Sequence, residues 1–316
     1  MAHIFFIDPL EKLNIRKDTS LALALTYQEL GHETYLLFEN DFYISSHLEN
    51  EVKLYKFEGT FEDNQSYLQG FQSTQSQLVD LNSGDTIHMR IDPPYDLRYQ
   101  RYLWMLDHLK RNAGVRVTND PTGIMQISEK IYPLEDKASL PTFIGKSWES
   151  AKRFEAKLAD SYDELVLKPV DLYSGIGVEK VKRSEVAFKQ AFEQKVAEFS
   201  GEIIVQPFAK AVLQGEYRSL FLKGEEIGTI LKTPKKGSFL TNVAQGGTFE
   251  QATLPKNLYA KAKKMADDLS LYGIDFIAYD LLGEAITEVN VTCPGLLVEV
   301  SFATGKNLLK EYCLKM

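Results

Sequence analysis

The sequence predicts an α/β protein built from several lobes. The chain has 316 residues, close to the length of two typical domains, so two or three lobes are expected. In the first part of the chain, apolar strand-like runs alternate with helical stretches, which predicts a mostly parallel sheet. In the last part strand-like runs dominate, which indicates antiparallel pairing. We place the lobes at residues 1–120, 121–200 and 201–316.

The first lobe begins with an apolar strand, a polar loop and a helix at residues 20–30. A second helix is predicted at residues 97–110. The strands predicted in this lobe cover residues 4–7, 34–38, 86–90 and 115–118. Ligand sites of parallel sheets lie at the carboxyl ends of the strands, and Asp8 and Arg90 occupy such ends.

The second and third lobes have different patterns. In the second lobe, helices at residues 148–158 and 184–199 alternate with strands. Its strands are predicted at residues 142–145, 164–167 and 177–181. In the third lobe, helices are predicted at residues 254–271 and near the C-terminus. Its strands are predicted at residues 202–205, 217–222, 226–232, 276–282 and 285–292.

Composition and charge exclude several classes of protein. Apolar residues make up 44% and charged residues 25%, and no apolar run approaches the roughly 20 residues of a membrane helix. The net charge of −8 argues against non-specific nucleic-acid binding. The first residues lack the features of a signal peptide, so we expect a cytoplasmic protein. Cys293 and Cys313 lack CxxC spacing, so neither a zinc site nor a disulfide is predicted.

Residues 280–290 read as a hairpin that carries three oxygen-bearing side chains. Because side chains alternate along a strand, Glu288 and Asn290 share a face. Asp280 joins them, opposite Glu288, if the loop holds three residues with a bulge, whereas a two-residue loop would misplace it. Two carboxylates and an amide oxygen suit Mg²⁺, which prefers hard oxygen ligands. Spacing alone supports equally well a polar strand face whose acids are solvated.

Two basic residues lie beside strands of the second and third lobes. Lys168 ends an apolar strand before the small-residue loop at 171–177, and a lysine placed there can hold phosphate by charge. The loop is not a Walker A sequence, and a solvated lysine beside a turn is the commoner case. Arg218 precedes an apolar strand segment and is equally compatible with a surface arginine.

Six short segments occur in a definite order along the chain: residues 8–9, 14–20, 89–96, 129–130, 167–169 and 287–294. In this order, the segments resemble prokaryotic glutathione synthetases, which belong to the ATP-grasp superfamily. The resemblance spans nearly the whole chain. The double-proline segment at 93–94 and the final hairpin are fairly specific, whereas the lysines are common to many ATP-grasp enzymes.

The resemblance implies an ATP-grasp fold, in which an N-terminal parallel-sheet (pre-ATP-grasp) lobe is followed by two α+β lobes that enclose the nucleotide. It implies catalytic roles for Arg218 and Lys232. The metal ligands that it implies are Asp280, Glu288 and Asn290. The nucleotide-binding residues that it implies are Lys130, Lys168, Ser174, Gly175, Gly177, Val205, Gln206, Pro207, Phe208, Glu216 and Asn242. The residues that it implies for the peptide substrate are Lys17, Asp18, Ser20, Arg90 and Tyr95.

The activity that the resemblance implies is an ATP-dependent ligation. ATP phosphorylates the carboxylate of γ-glutamylcysteine, and glycine then attacks the acyl phosphate, with release of ADP and phosphate. Mg²⁺, or Mn²⁺ in its place, is the implied cofactor, and ATP is a co-substrate. The implied partners are small molecules and, as in related enzymes, further copies of the chain in a homo-oligomer. Loops at residues 173–177 and 235–247 are candidate lids that exclude water.

The sequence departs from the pattern of the family in the phosphate-binding hairpin. Lys232 and Leu240 stand where glutathione synthetases carry arginine. Lysine loses the bidentate fork and leucine neutralises nothing, so phosphoryl stabilisation is weaker or is supplied by Lys235 or Lys236. The segment 295–299 also lacks an expected basic residue. Two alternatives therefore stay open: a ligase for a different amino-acid or peptide pair, and a nucleotide-binding pseudoenzyme. A dinucleotide-binding oxidoreductase is disfavoured because no GxGxxG follows the first strand.

Overall fold

The computed structural model describes residues 1–46, 51–73, 75–137 and 139–316. The N-terminal strands are β1 (Ala2–Ile7), β2 (Glu33–Leu37), β3 (Glu51–Lys56), β4 (Glu58–Phe61), β5 (Leu68–Gln72), β6 (Ser76–Asp80), β7 (Thr86–Arg90) and β8 (Arg116–Thr118). The helices of this part are α1 (Thr19–Glu29), α2 (Leu97–Ala113) and α3 (Pro121–Gln126).

Six of these strands form one sheet in the order β6-β3-β2-β1-β7-β8. β1 pairs in parallel with β2 and β7, and β7 with β8, which confirms the predicted parallel sheet. β3 and β6 extend it as antiparallel strands, and β4 and β5 form a separate pair. β1 is wholly buried, as a central parallel strand is, whereas β6 is largely exposed. Its weak apolar pattern explains why the sequence predicts no strand there.

Both long N-terminal helices begin at an aspartate. The Asp18 carboxylate accepts a hydrogen bond from the backbone N–H of Leu21 at 2.9 Å and caps α1. Asp96 caps α2 in the same way through the backbone N–H of Tyr99. Gly114, in the left-handed conformation at a φ of 71°, ends α2. Because β1 and β7 are parallel, the loops that lead from them to these helices lie at the same carboxyl edge of the sheet, where the sequence predicts ligand sites.

The next part of the chain forms a four-stranded antiparallel sheet covered by two helices. Its elements are β9 (Phe143–Gly145), α4 (Trp148–Glu155), β10 (Glu164–Pro169), β11 (Glu179–Lys182), α5 (Glu185–Phe199) and β12 (Ile203–Pro207). The strand order is β11-β10-β12-β9. β12, which the sequence predicts within the third lobe, is a central strand of this sheet and pairs with β10 and β9.

The C-terminal part is a five-stranded antiparallel sheet with three helices, which confirms the predicted antiparallel pairing. Its elements are β13 (Glu216–Leu222), β14 (Glu225–Thr233), β15 (Thr248–Gln251), α6 (Lys256–Ser270), β16 (Phe276–Leu282), β17 (Ala285–Asn290), α7 (Leu297–Thr304) and α8 (Leu308–Lys315). The strand order is β15-β14-β13-β16-β17. Two helices occupy the C-terminus instead of the one predicted, because Gly305 at a φ of 66° ends α7.

Buried apolar side chains form three clusters. The first packs Phe6 of the N-terminal sheet in one core with Ile277 of the C-terminal sheet. The second unites Leu21 of α1 with Leu297 of α7 in the same way. The third is confined to residues 143–205. The N-terminal and C-terminal parts therefore share their cores, while the part between them has a core of its own.

We call residues 143–207 the middle lobe, and the parts of the chain before and after them the common body. The division of the chain into domains at residues 120 and 200 stays a prediction. Within the described residues, no helix has both the length and the apolar character needed to cross a membrane.

Candidate active site

A cavity of about 430 Å³ lies between the middle lobe and the common body. Its walls come from β10 and β12, from the C-terminal sheet, and from the loops at the carboxyl edge of the N-terminal sheet. The predicted nucleotide residues that line it are Lys130, Lys168, Ser174, Gly175, Gln206, Pro207, Phe208, Glu216 and Asn242. The other predicted site residues that line it are Lys17, Asp18, Ser20, Arg90, Arg218, Lys232, Asp280, Glu288 and Asn290. Residues from all three parts of the chain thus meet at one cavity.

Three predicted site residues do not line the cavity. Val205 is fully buried in the core of the middle lobe, because alternate side chains of β12 point to opposite faces. The Tyr95 hydroxyl donates to Gln100 at 2.6 Å, and its ring stacks on Tyr99. Gly177 has a φ of 73°, and a Cβ there would lie 2.7 Å from Phe199, so this glycine meets a backbone and packing requirement instead.

The hairpin of β16 and β17 places Asp280 directly opposite Glu288. Its turn holds two residues, Gly283 and Glu284, so the expected three-residue loop is wrong. Thr287 has no partner in the register, and this bulge restores the pairing that a two-residue turn would otherwise lose. The predicted arrangement of side chains is therefore reached by a different local geometry.

Both carboxylate oxygens of Asp280 contact buried cations. Lys232 Nζ lies 2.6 Å from Oδ1, and Arg218 Nη2 lies 2.8 Å from Oδ2. Lys232 Nζ also lies 2.9 Å from Glu216 Oε2. Burial opposes the ionisation of Asp280, but Arg218 and Lys232 outweigh burial and lower the pKa of its carboxyl group. Burial likewise opposes the charge of Lys232, yet Asp280 and Glu216 raise its pKa. Both groups are therefore charged at neutral pH.

The donor atoms of the hairpin fit a divalent metal ion. Asn290 Nδ2 donates to the carbonyl of Ala278 at 2.9 Å, which leaves Asn290 Oδ1 as the free ligand atom. Glu288 Oε1 lies 3.0 Å from Lys130 Nζ. Across the described residues, no group of three or more His, Cys, Asp or Glu side chains could hold a metal ion. A metal ion bound at the hairpin therefore needs the amide oxygen and oxygens from a ligand in addition to the two carboxylates.

Several donors of the cavity have no acceptor in the protein. Lys168 lines the cavity and forms no ion pair with any residue that the structure describes, and burial lowers its pKa. The Nε atom of Arg218 is buried without a hydrogen-bond partner. Lys130, by contrast, is paired, because its Nζ contacts Glu288 and donates to the carbonyl of Leu172 at 2.5 Å. Unpaired cationic donors in a partly buried cavity favour an anionic ligand such as a phosphate.

The end of the cavity at the N-terminal sheet carries a further buried cation. Arg90 is only 6% exposed, and it donates through Nε to Ser20 Oγ at 3.1 Å and through Nη2 to the carbonyl of Pro294 at 2.9 Å. Within the described part of the chain, it forms no ion pair. Its remaining N–H donors are therefore available to an anionic group in the cavity.

The sequence does not reveal some residues of this site. Glu129 is half-buried, and its Oε1 accepts hydrogen bonds from the backbone N–H groups of Val291 and Thr292 at 2.7 and 2.9 Å. Burial, and then the charge of Glu288, raises the pKa of Glu129. The Thr241 hydroxyl donates to Glu216 Oε2 at 2.6 Å. The sequence offered only one sign of their role, which is that they stand next to predicted site residues: Glu129 precedes Lys130, and Thr241 precedes Asn242. Their hydrogen bonds could not be predicted, because they join segments that are distant in the chain.

Comparison with known proteins identifies the family. The family model described as prokaryotic glutathione synthetase, N-terminal domain, matches residues 1–125, and the model described as prokaryotic glutathione synthetase, ATP-grasp domain, matches residues 117–305. The chain belongs to the prokaryotic glutathione synthetase family. It is therefore an ATP-dependent ligase that forms a peptide bond, and members of this fold family use ATP with a divalent metal ion.

Curated relatives match along almost the entire chain. Glutathione synthetase of Vibrio cholerae is 30% identical over 309 residues, which cover 95% of this chain and 93% of the relative. Glutathione synthetase of Pseudomonas syringae pv. tomato is 27% identical over 305 residues, which cover 96% and 92%. The similarity therefore extends across all parts of the glutathione synthetase chain and is not limited to the ATP-grasp region.

Solved structures show the same fold at low identity. A D-cycloserine synthetase superposes with a TM-score of 0.64 at 14% identity and covers 98% of this chain and 99% of its own. D-alanine–D-alanine ligase from Bacillus anthracis, complexed with ATP, superposes with a TM-score of 0.60 at 11% identity and covers 100% and 96%. These neighbours confirm the ATP-grasp fold.

The departures from the glutathione synthetase pattern now have a place in the fold. Lys232 and Leu240 both line the cavity. Lys235 and Lys236 are exposed and do not line it, so neither replaces the missing arginines in this conformation. The ammonium group of Lys232 is buried against Asp280 and Glu216, where it balances carboxylate charge.

Proposed function

We propose that this ligase joins γ-glutamylcysteine to glycine, with Mg²⁺ as its metal ion and Mn²⁺ able to replace it. The observation that carries the proposal is the position of the Asp280–Glu288 pair in the cavity. The pair lines the same cavity as Lys168, a cation suited to phosphate, and as the cations Arg90 and Lys17. Similarity to glutathione synthetases along the chain supports the choice of substrates.

We propose that ATP lies between the middle sheet and the C-terminal sheet. Apolar side chains from both sheets, Val166 and Leu282, line the cavity there and suit a purine ring. Glu216 is proposed to bind the ribose. Its Oε2 already accepts from Lys232 and Thr241, which leaves Oε1 for a ribose hydroxyl. The phosphates would extend toward the lysines at positions 130 and 168.

The proposed reaction has two steps. The γ-phosphoryl group of ATP passes to a carboxylate oxygen of the acid, which forms an acyl phosphate and ADP. The nitrogen of the amine then attacks the acyl carbon, phosphate leaves with the electron pair of the C–O bond, and the amine loses a proton. Arg218, with its unengaged Nε, is placed to stabilise the phosphoryl oxygens, and Lys232 holds Asp280 in its ionised form. A bound metal ion supplies charge neutralisation of the phosphates.

The two loops proposed as lids contact each other across the cavity. Gln245 Nε2 donates to the carbonyl of Ser174 at 2.7 Å. Asn242 Oδ1 lies 2.8 Å from the point that a Cβ on Gly175 would occupy, so Gly175 permits this close approach. Closure of such loops keeps water away from an acyl phosphate, which would otherwise hydrolyse.

The test is a phosphate-release assay with Mg²⁺ and ATP on a panel of acids and amines. We expect γ-glutamylcysteine plus glycine to stimulate release, and ADP to form in equal amount. Turnover on another pair alone would replace these substrates, which is the alternative that Leu240 and the apolar segment 296–298 favour. Calorimetric binding of ATP without turnover on any pair would indicate a pseudoenzyme.

We further propose that the protein is a cytoplasmic homo-oligomer whose ligands are small molecules, without binding of nucleic acid or membranes. Relatives along the chain are named glutathione synthetases, and the net charge of −8 disfavours contact with nucleic acid or an anionic membrane. Light scattering of the purified chain measures the oligomeric state, and a monomer across the concentration range would contradict the proposal.

A further inference from the structure

A buried carboxylate at one end of the cavity has an oxygen without a partner. Glu299 lies in the first turn of α7, is 3% exposed, and lines the cavity. Its Oε1 lies 3.6 Å from Lys17 Nζ. Its Oε2 is buried without a hydrogen-bond partner among the residues that the structure describes. A buried acceptor left unpaired is costly, so a donor from outside the chain is expected there.

The surroundings of Glu299 stabilise its negative charge but provide no hydrogen-bond donor for its Oε2. The first turn of a helix favours a carboxylate, and Lys17 balances its charge. Neither feature gives Oε2 a donor. The flanking residues Val298 and Val300 are fully buried, and α7 packs so closely on Gly228 that a Cβ there would lie 2.7 Å from Val300. Glu299 is therefore held rigidly toward the cavity.

The other carboxyl groups at this end have partners in the protein. Asp18 Oδ1 accepts the capping hydrogen bond from the backbone N–H of Leu21. Asp92 receives a hydrogen bond from the thiol of Cys293. Burial raises the pKa of Glu299, against the opposing effects of its own backbone N–H and of Lys17. Among the described residues at this end, Glu299 is therefore the carboxylate with a buried oxygen that has no hydrogen-bond partner.

The same end also offers donors. Arg90 has N–H groups that the protein does not engage, and Lys17 lies beside Glu299. Arg218 is near enough for its charge to lower the pKa of Glu299 against the effect of burial. The cationic donors can bind a carboxylate of a ligand, and the free oxygen of Glu299 beside them can bind an ammonium group. Together they complement a zwitterion. An amino acid or a γ-glutamyl group has this pair of charges.

We propose that Glu299 Oε2 binds a primary ammonium group of a substrate and thereby selects for amino-acid substrates. The inference rests on the proposed function in that the substrate occupies this cavity, and it specifies which group Glu299 recognises. The ammonium group belongs either to the acid, as the α-ammonium of γ-glutamylcysteine, or to the acceptor, as the ammonium form of glycine. The chemistry is the same for both, and the experiment separates them.

The test compares two acids that differ only in the amino group, γ-glutamylcysteine and glutarylcysteine, in the wild type and in Glu299→Gln. We expect the wild type to prefer γ-glutamylcysteine by about 10-fold to 100-fold in KM, the range for a hydrogen bond to a charged group. Glu299→Gln keeps the shape of the side chain and should remove this preference. The control Glu311→Gln removes an exposed carboxylate on α8 and should leave both KM values unchanged.

The outcomes distinguish the possible roles of Glu299. Loss of the preference places the ammonium on the acid, and an increase in the KM for glycine of about 10-fold or more with the preference retained places it on the acceptor. Equal weakening of both acids with an unchanged KM for glycine, or no change at all, would overturn the proposal. Equal weakening is the result of a purely structural role. Glu299→Asp, which keeps the charge, should retain part of the preference.

Failure of the proposed function can be recognised separately. It would appear as a wild type that forms no ADP with γ-glutamylcysteine and glycine. The Glu299 proposal is then tested by calorimetric binding of alanine and propionate, which requires no turnover. Tighter binding of alanine that Glu299→Gln abolishes would support it. Equal binding of the two compounds, or a preference that persists in Glu299→Gln, would overturn it.

Discussion

The middle lobe and the common body are stabilised in different ways. The middle lobe has a core confined to its own residues, whereas the common body buries N-terminal and C-terminal side chains in two shared clusters. The two regions face each other across the cavity through polar contacts such as Lys130 with the carbonyl of Leu172 and Gln245 with that of Ser174. Such contacts exchange with water at little net cost, so we expect the middle lobe to move as a unit.

This difference separates two tasks of the site. Asp280, Glu288 and Arg90 lie on the common body, where shared cores fix their relative positions. Lys168 and Gln206 lie on the middle lobe. The groups proposed for metal and acid therefore lie on the rigid part. Of the groups proposed for the nucleotide, Lys168 and Gln206 lie on the part that we expect to open and close, whereas Lys130 and Glu216 stay on the common body.

The largest expected effect comes from a matched pair of core substitutions. Phe221→Ala in the common body and Phe192→Ala in the middle lobe should each cost about 3–5 kcal/mol of unfolding free energy, because both rings are fully buried. Hydrogen exchange resolved by peptide should show Phe192→Ala acting on residues 143–207 alone and Phe221→Ala acting on both ends of the chain. Faster exchange throughout the protein in Phe192→Ala would show that the lobe is not independent.

A second substitution addresses the rigid part of the site. Asp280→Asn should lower kcat by about 100-fold to 1000-fold, because it weakens the proposed metal site and leaves the buried cations Lys232 and Arg218 without their counter-ion. Phosphate release and calorimetric binding of Mg²⁺ with ADP are the measurements. Asp267→Asn, at an exposed ion pair with Lys263, is the control and should retain full activity. Activity of Asp280→Asn close to that of the wild type would refute the site.

Acid should destabilise the common body through its buried histidines. Burial, with the charge of His32, lowers the pKa of His3 to about 3, and burial places that of His88 well below its usual value. His88 is bonded to His3 and Thr118, both at 3.0 Å. In the unfolded state both histidines become protonated near pH 6.5, whereas in the folded state they stay neutral to lower pH. The free energy of unfolding therefore falls as pH drops from about 6.5 toward 3.

The expected slope is up to about 1.4 kcal/mol per pH unit for each of the two histidines. Denaturant unfolding at a series of pH values measures it. His88→Gln should flatten the curve, whereas His108→Gln, on α2 away from this cluster, should not. The middle lobe contains no histidine, so its exchange protection should change little over this range. A histidine-dependent loss of protection there would contradict the comparison.

The smallest effect is expected at the contact between the two loops. Gln245→Ala removes the hydrogen bond to Ser174, which is worth about 0.5–1.5 kcal/mol, and should raise the KM for ATP by about 2-fold to 10-fold. The melting temperature should not change, because neither core is touched. Gln194→Ala, on the exposed face of α5, is the control. An unchanged KM in Gln245→Ala would mean that the contact has no part in closure.

Most of the fold could be predicted because its elements follow local rules. Apolar runs predict β13, β14, β16 and β17 of the C-terminal sheet, although not its exposed edge strand β15. β4, β5 and β6 could not be predicted, because strands that are half exposed carry little apolar pattern. β3 was not predicted either, although its buried Val52 and Leu54 alternate with more exposed residues. The alternation that pairs Glu288 with Asn290 on one face was visible in the sequence, whereas the bulge at Thr287 that aligns Asp280 was not.

The sequence by itself determined the fold class, the family and the side chains of the proposed metal site, because periodicity and short motifs depend on neighbours in the chain. Only the tertiary structure decided which charged side chains form ion pairs with one another. Asp280 receives Lys232 and Arg218 from other strands, and Glu299 meets Lys17 from the opposite end of the chain. Burial and partners of this kind depend on packing between distant segments. For the same reason, the free oxygen of Glu299 became visible only in the folded chain.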